Sequence, residues 1–288
     1  MALDAWLGLA LATVVIWGLG TLVSKPATMR LGTRRMLAFI VVFEGGAYAV
    51  LFVAFRTSLS ASDTSGMIAG FLAALTGTLG YIFYYEGILV GSVGLMGTVT
   101  AAYPAPTILL SLWLLGESID FPEAVGILLV LACVVVLSRE SGRRSPGKRS
   151  AVGFAFLAFV AWGLWGYFAK VAVDSIGEGN LFGFYALSNA LLLGLFILLT
   201  RKRPLEAPHA DRGHAVAFGL LDVTLGVGGV VALTYAYALG PASLVSAVTG
   251  SYPLVSTLAA HFALKERFGW KDAIALLLFI PGIFLIAF

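Results

Sequence analysis

Apolar runs of about 18–25 residues alternate with short polar breaks along this chain, a spacing that suits helices crossing roughly 30 Å of hydrocarbon. The pattern predicts spans at about 5–24, 36–55, 66–89, 92–115, 121–138, 151–173, 180–200, 213–238, 241–264 and 270–288, ten in all. Two joints are short: VGSVG separates spans three and four, and LGPAS separates eight and nine. Gly91 and the Gly240-Pro241 pair supply turn chemistry there. Strands of a membrane barrel would alternate apolar and polar positions, and these runs do not. The expected fold class is therefore an all-α polytopic membrane protein. The stretch MALDAWLGLALATVVIWGLG carries only Asp4 as a side-chain charge and lacks a basic leader, so it is expected to be a retained first span.

Composition agrees with this pattern. The chain of 288 residues is 60% hydrophobic and 11% charged, with a mean hydropathy of +0.97. Soluble domains carry about 25% charged residues, so the natural solvent is a bilayer. The single cysteine, Cys133, excludes an internal disulfide and a thiolate metal cluster. His209, His214 and His261 form no recognisable metal spacing, so neither metal nor cofactor is expected. No G-x-x-x-x-G-K-[ST] loop is present, so no ATP-binding module is expected in the chain. The net charge of +3 makes no case for nucleic acid. Glycines in membrane helices let backbones approach closely, which leaves LGVGGV weak as a nucleotide signal.

The longest polar stretch, SRESGRRSPGKRS at 138–150, divides the spans into two sets of five. The halves echo one another. WGLGTLVSK (17–25) matches WGLWGYFAK (162–170) at an offset of 145 residues, and GSVGLMGTVTAAYP (91–104) matches GPASLVSAVTGSYP (240–253) at 149. The expected domains are 1–138 and 151–288, joined by a basic linker at 139–150. Five is odd, so the two copies must cross in opposite directions, the inverted-repeat design of many secondary transporters.

The paired Trp-Gly…Lys segments and the paired GS/GPAS…T..YP…GE/KE segments resemble the drug/metabolite transporter superfamily in its ten-helix EamA-type form. The resemblance covers nearly the whole chain. It implies secondary transport of a small metabolite, with no enzymatic activity, through a site between the repeats. Two departures are visible: Lys265-Glu266 stands where the first copy has Gly116-Glu117, and Pro106 has no counterpart. A polytopic scaffold or membrane-embedded enzyme is the alternative class. Substrate identity, coupling ion and oligomeric state are open.

Several residues are candidates for the pathway. Glu44 and Asp222 lie near the middle of spans two and eight. A charge at the bilayer centre costs at least ~2.5–3.5 kcal/mol on insertion scales, which makes such acids functional hypotheses. Each could carry a coupling proton, bind a substrate amine, or be a neutral acid bonded within a helix interface. At the 145-residue offset Glu44 maps to Asn189, which can only hydrogen-bond. Pro104 and Pro253 are expected to kink their helices and free the carbonyls of Thr100 and Thr249, either as polar spots on a cavity wall or as packing kinks. Tyr103 and Tyr252 offer a ring and a hydroxyl beside them. Trp17 and Trp162, too deep for an interfacial belt, stack on substrate or pack on glycines. Glu86 lies nearer the end of span three, where it reaches either the pathway or interfacial water. Tyr81, Tyr84, Tyr85, Tyr235 and Tyr237 read as an interfacial aromatic belt. Lys25 and Lys170 read as snorkelling side chains. Glu117 and Glu266 read as helix-dipole partners of spans five and ten.

The loop charges give an orientation. With ten spans, 16 of the 18 basic residues, all but Arg56 and Lys170, lie on the side opposite the termini. Basic loops stay in the cytoplasm. The expectation is an inner-membrane protein with both termini outside and the 138–150 segment in the cytoplasm.

Overall fold

The computed structural model describes residues 4–90, 96, 99–138, 149–201, 212–264 and 269–287, and among these it is almost wholly helical, with no strand. The first half supplies α1 (Ala5–Leu31), α2 (Thr33–Phe55), α3 (Thr64–Val90), α4 (Pro104–Leu114) and α5 (Phe121–Ser138). The second half opens with one long stretch, Ser150–Leu199, broken at Gly177 into α6 (150–176) and α7 (178–199). It continues with α8 (Arg212–Leu239), α9 (Ala242–Thr249), α10 (Tyr252–Leu264) and α11 (Trp270–Ala287). Among the described residues six stretches are long and apolar enough to cross a membrane, and shorter apolar helices accompany them. One of the six is 50 residues long. At 1.5 Å per residue it would measure ~75 Å unbroken, more than twice the hydrocarbon thickness, so the break at Gly177 yields two arms. Large apolar side chains such as Val53, Leu109 and Leu277 stand 69%, 67% and 71% exposed, which suits contact with lipid chains.

The breaks between spans one and two, and between six and seven, are tighter than the polar pattern implies. The segment 25–31, expected to be loop, continues α1 with Pro26 inside it. Gly32 then turns the chain with φ 74° and ψ 160°, and Gly177 repeats the turn with φ 78° and ψ 162°, 145 residues later. Positive φ is the left-handed region that glycine adopts without steric cost. One residue at each place therefore does what a longer loop was expected to do.

The Tyr-Pro sites are breaks rather than kinks. Pro104 occupies the first turn of α4, where its missing N–H is no loss, and Pro253 sits likewise in the first turn of α10. The carbonyl of Thr100 is not freed: it accepts the Tyr103 N–H at 3.0 Å. Proline has ended one helix and begun the next, so no long helix remains for it to bend. Of the other expectations, Gly91, 139–148 and Lys265-Glu266 lie outside the described residues, as does the side chain of Lys25.

The halves are interleaved. α1 packs along α8, and α3 packs along α6, so each contact joins one half to the other. The contacts are reciprocal. A Cβ at Gly229 would lie 2.2 Å from Trp17 Nε1, and a Cβ at Gly80 would lie 2.2 Å from Trp162 Nε1. A Cβ at Gly18 would meet the carbonyl of Tyr252 at 2.9 Å, and one at Gly163 would meet that of Tyr103 at 3.2 Å. Small residues thus let the large rings of the opposite half approach the backbone. α5 packs along α11, and Ile127, Val130 and Ile286 of that pair join the same buried cluster as the interleaved centre.

Candidate functional site

A cavity of about 170 Å³ lies between the halves. Trp17, Thr21 and Ser24 of α1 line it, with Glu44 and Tyr48 of α2 and Tyr81, Tyr84 and Tyr85 of α3. From the other half come Trp162 and Trp165 of α6, Tyr185 and Asn189 of α7, Asp222 and Gly226 of α8, and Tyr252 of α10. Tyr103, which precedes α4, completes the wall.

Glu44 is 3% exposed and closes a turn of π-helix, Ile40–Glu44, within α2. Asn189 opens the matching π-turn, Asn189–Leu193, in α7. A π-turn puts one extra residue into a helical turn and re-aims the side chains that follow, a distortion frequent at functional sites. The two side chains meet: Asn189 Nδ2 donates to Glu44 Oε1 at 3.2 Å. Tyr81 donates to Glu44 Oε2 at 3.4 Å, and the Tyr48 hydroxyl also bonds this carboxylate. The Asn189 side chain is held in turn, since Thr78 Oγ1 donates to its Oδ1 at 3.3 Å.

Asp222, 7% exposed, is reached by Ser24 Oγ and by the Tyr85 hydroxyl, the latter at 3.3 Å. Gly226 lies one turn further along α8, and a Cβ there would stand 3.9 Å from Glu44 Oε2. The two acids therefore border adjacent turns of one helix. Among the described residues no Lys, Arg or His lines the cavity. The donors described at both carboxylates are neutral: Asn189, Tyr81 and Tyr48 at Glu44, and Ser24 and Tyr85 at Asp222.

The remaining candidates divide. Trp17 and Trp162 pack on glycines of the opposite half, and both also line the cavity. Tyr103 and Tyr252 are also in the wall. Their hydroxyls cross between halves: Tyr103 bonds Thr249 at 3.4 Å, and Tyr252 bonds Thr100. Thr100, Thr249, Pro104 and Pro253 stand behind these rings rather than in the wall. Glu86 is half-buried and is not part of the wall. Tyr81, Tyr84 and Tyr85 are not an interfacial belt. They line the cavity because α3 is long enough to bring its last two turns beside α6. Tyr237 is fully buried with its hydroxyl 2.9 Å from Ser246 Oγ. Sequence reasoning passed over Tyr48, Trp165 and Tyr185; the first two carry the signal of an aromatic residue far from a span end, and Tyr185 carries none.

Two ionic groups act as helix-end partners. Lys170 Nζ bonds the Tyr237 carbonyl at 2.7 Å, near the C-terminus of α8, and pairs with Asp174 at 2.8 Å. Glu117 accepts the backbone N–H groups of Ala242 at 2.6 Å and Ser243 at 2.9 Å. Its helix-dipole role holds, but the helix served is α9 of the opposite half rather than α5. The reciprocal bonds between Asp120 and Glu123, both 2.8 Å, form the N-terminal box of α5 instead.

A family model for EamA-like transporters matches residues 4–139 and again 149–288. The chain belongs to the EamA-like transporter family. An EamA-like chain is a multi-pass membrane protein that takes a small-molecule substrate, and here the family unit occurs twice. An uncharacterized protein of Methanocaldococcus jannaschii is 23% identical over 137 residues, which are 47% of this chain and 98% of that protein. That relative is therefore about as long as one of the two matched segments. A solved crystal structure superposes with a TM-score of 0.74 at 20% identity, over 96% of this chain and 95% of the other, and shows the same fold.

Proposed function

We propose that this EamA-like protein is a proton-coupled secondary transporter that moves a small amphipathic metabolite by alternating access. The observation that carries the reading is the cavity between the halves, with Glu44 and Asp222 in its wall beside adjacent turns of α8. The architecture proposed is ten spans: α1 to α8, then α9 with α10 as the ninth, then α11. Residues 1–138 and 151–288 form two five-helix repeats related by a pseudo-two-fold axis in the membrane plane. The reciprocal Trp–Gly contacts and paired glycine turns support that relation. Rocking one repeat against the other would open the cavity to each side in turn, as in other inverted-repeat transporters.

Glu44 and Asp222 carry the coupling proton or the substrate's charge, Asn189 orients Glu44, and the aromatic wall holds the apolar body of the solute. The test begins with a thermal-shift screen of purified protein against metabolites, followed by flux of any hit in proteoliposomes with an imposed pH gradient. Glu44→Gln is expected to abolish or uncouple that flux with folding intact. Unchanged flux and pH dependence would remove Glu44 from the mechanism.

Orientation follows from loop charge: both termini outside and the 138–150 segment in the cytoplasm of an inner-membrane protein. Cysteine at position 145, in a Cys133→Ala background, should resist an impermeant thiol reagent added to intact cells. Ready labelling would reverse the orientation.

A further inference from the structure

We infer that the solute recognised by this cavity is a small monovalent organic cation with an apolar body about one ring in size. The inference rests on the transporter reading of the cavity and gives that reading a substrate class. Three features point the same way: charge, unoccupied bonding capacity and size.

Among the described residues the wall offers two carboxylates and no cationic side chain. A phosphorylated or carboxylate-bearing solute would bring its charge against Glu44 and Asp222 with nothing to neutralise it. A buried unpaired charge is among the costliest things a binding site can hold. An ionised carboxylate has about four lone-pair positions. Glu44 receives Asn189, Tyr81 and Tyr48, and Asp222 receives Ser24 and Tyr85. Each acid therefore keeps acceptor capacity for a donor brought by the solute.

Several of the other wall hydroxyls are already engaged. Tyr103 bonds Thr249, Tyr252 bonds Thr100, and Tyr185 accepts from Trp165 Nε1 at 2.8 Å. A polyol such as a sugar would find few partners for its many hydroxyl groups. What the rings still present is their faces. Ten of the 23 lining residues are Trp or Tyr, and Trp17 alone stands 6.1–6.4 Å, centroid to centroid, from Tyr103, Trp165 and Tyr252. The face of an aromatic ring attracts a cation, by about 2 kcal/mol or more once both are out of water.

The volume suits a body of this size. The cavity holds about 170 Å³, close to the ~150 Å³ that accommodates a benzene ring. Two acids facing one monovalent cation leave one site for a proton, so a bound cation and a proton together neutralise the wall.

The experiment is calorimetric titration of the full-length protein in detergent at neutral pH with three probes of one ring each: benzylammonium, benzyl alcohol and benzoate. Benzylammonium is expected to bind at least tenfold more tightly than either of the others. The double variant Glu44→Gln/Asp222→Asn should lose at least tenfold in affinity for benzylammonium. Equal binding of the alcohol or of benzoate would overturn the inference, and the probe series uses wild-type protein, so it decides even if the double variant fails to fold. Benzylammonium that binds but shows no flux into proteoliposomes would overturn the transporter reading and leave the ligand class standing. A neutral or anionic solute whose flux depends on Glu44 would overturn the class and leave transport standing.

Discussion

Gly229→Ala is the sharpest perturbation of the interleaved centre. A methyl group on α8 would lie 2.2 Å from Trp17 Nε1 and 2.3 Å from its Cδ1. Ordinary contacts between such atoms begin near ~3.5 Å, so the indole must retreat by more than 1 Å. Its ring already faces Tyr103, Trp165 and Tyr252, so the retreat strains a packed cluster. Overpacking of this kind costs about 1–3 kcal/mol. Gly80→Ala sets the same methyl against Trp162 at the same 2.2 Å and should cost a similar amount. The assay is a double-mutant cycle, with unfolding by a denaturing detergent followed by circular dichroism. Trp17→Ala should remove the penalty of Gly229→Ala, giving a coupling energy of about 1–3 kcal/mol, and should leave the penalty of Gly80→Ala untouched. Trp162→Ala should do the converse. Independent sites add within ~0.3–0.5 kcal/mol. Coupling below that, or rescue of both glycine variants by either Trp variant, would refute the reciprocal contacts.

Glu117→Ala removes two charge-assisted bonds to the N-terminus of α9 and should lower stability by about 1–3 kcal/mol in the same unfolding assay, with Glu117→Gln intermediate. Gly177→Ala forces a side chain to φ 78° and should cost about 1–2 kcal/mol, matched by Gly32→Ala at φ 74°. Asp63, on the exposed turn before α3, is held below its ordinary 3.8 by hydrogen bonds from the Ser60 backbone N–H and hydroxyl. A lowered acid constant means that its contribution is present above 3.8 and is lost as pH falls through the lower folded value. A carboxyl-carbon NMR titration should show an Asp63 midpoint below 3.8 that rises only part of the way back in Ser60→Ala, which removes the hydroxyl but keeps the backbone N–H.

The membrane class and the duplication were legible because both are long-range patterns. Some twenty apolar residues per span, and a motif repeated at offsets of 145 and 149, survive any uncertainty about local geometry. Glu44 and Asn189 were legible for the same reason: a charge inside an apolar run is conspicuous, and the offset names its partner. The tyrosines of α3 were not. A tyrosine near a span end looks the same whether it faces headgroups or a neighbouring helix, and only the packing of α3 on α6 decides. The Tyr-Pro sites misled because proline is compatible both with a bent helix and with the first turn of a new one. Glu117 showed its type of partner but not its address, since capping an opposite-half helix is a tertiary fact with no local sequence trace.

The halves share a frame but not a chemistry. At the offsets that pair the tryptophans and glycines, Glu44 faces its counterpart Asn189, Asp222 corresponds to Ala73, and Tyr81 and Ser24 correspond to Val230 and Ala169. The backbone devices, by contrast, occur twice: the glycine turns at 32 and 177, the Trp–Gly contacts and the Tyr–Thr bonds across the centre. On the proposed transporter reading, this division has a physical sense. Two access states of comparable energy require that the packing on either side be nearly equivalent, which a duplicated frame supplies. Binding requires only one set of charged groups, provided that they stay at the centre in both states. Duplicating the acids would put a third carboxylate at position 189, against Glu44 in the wall, and their mutual repulsion would favour neutral, protonated forms over a site that a proton and a cation can share. A second copy that keeps the frame and replaces acid by amide or alanine retains the symmetry needed for motion and confines the charge to Glu44 and Asp222.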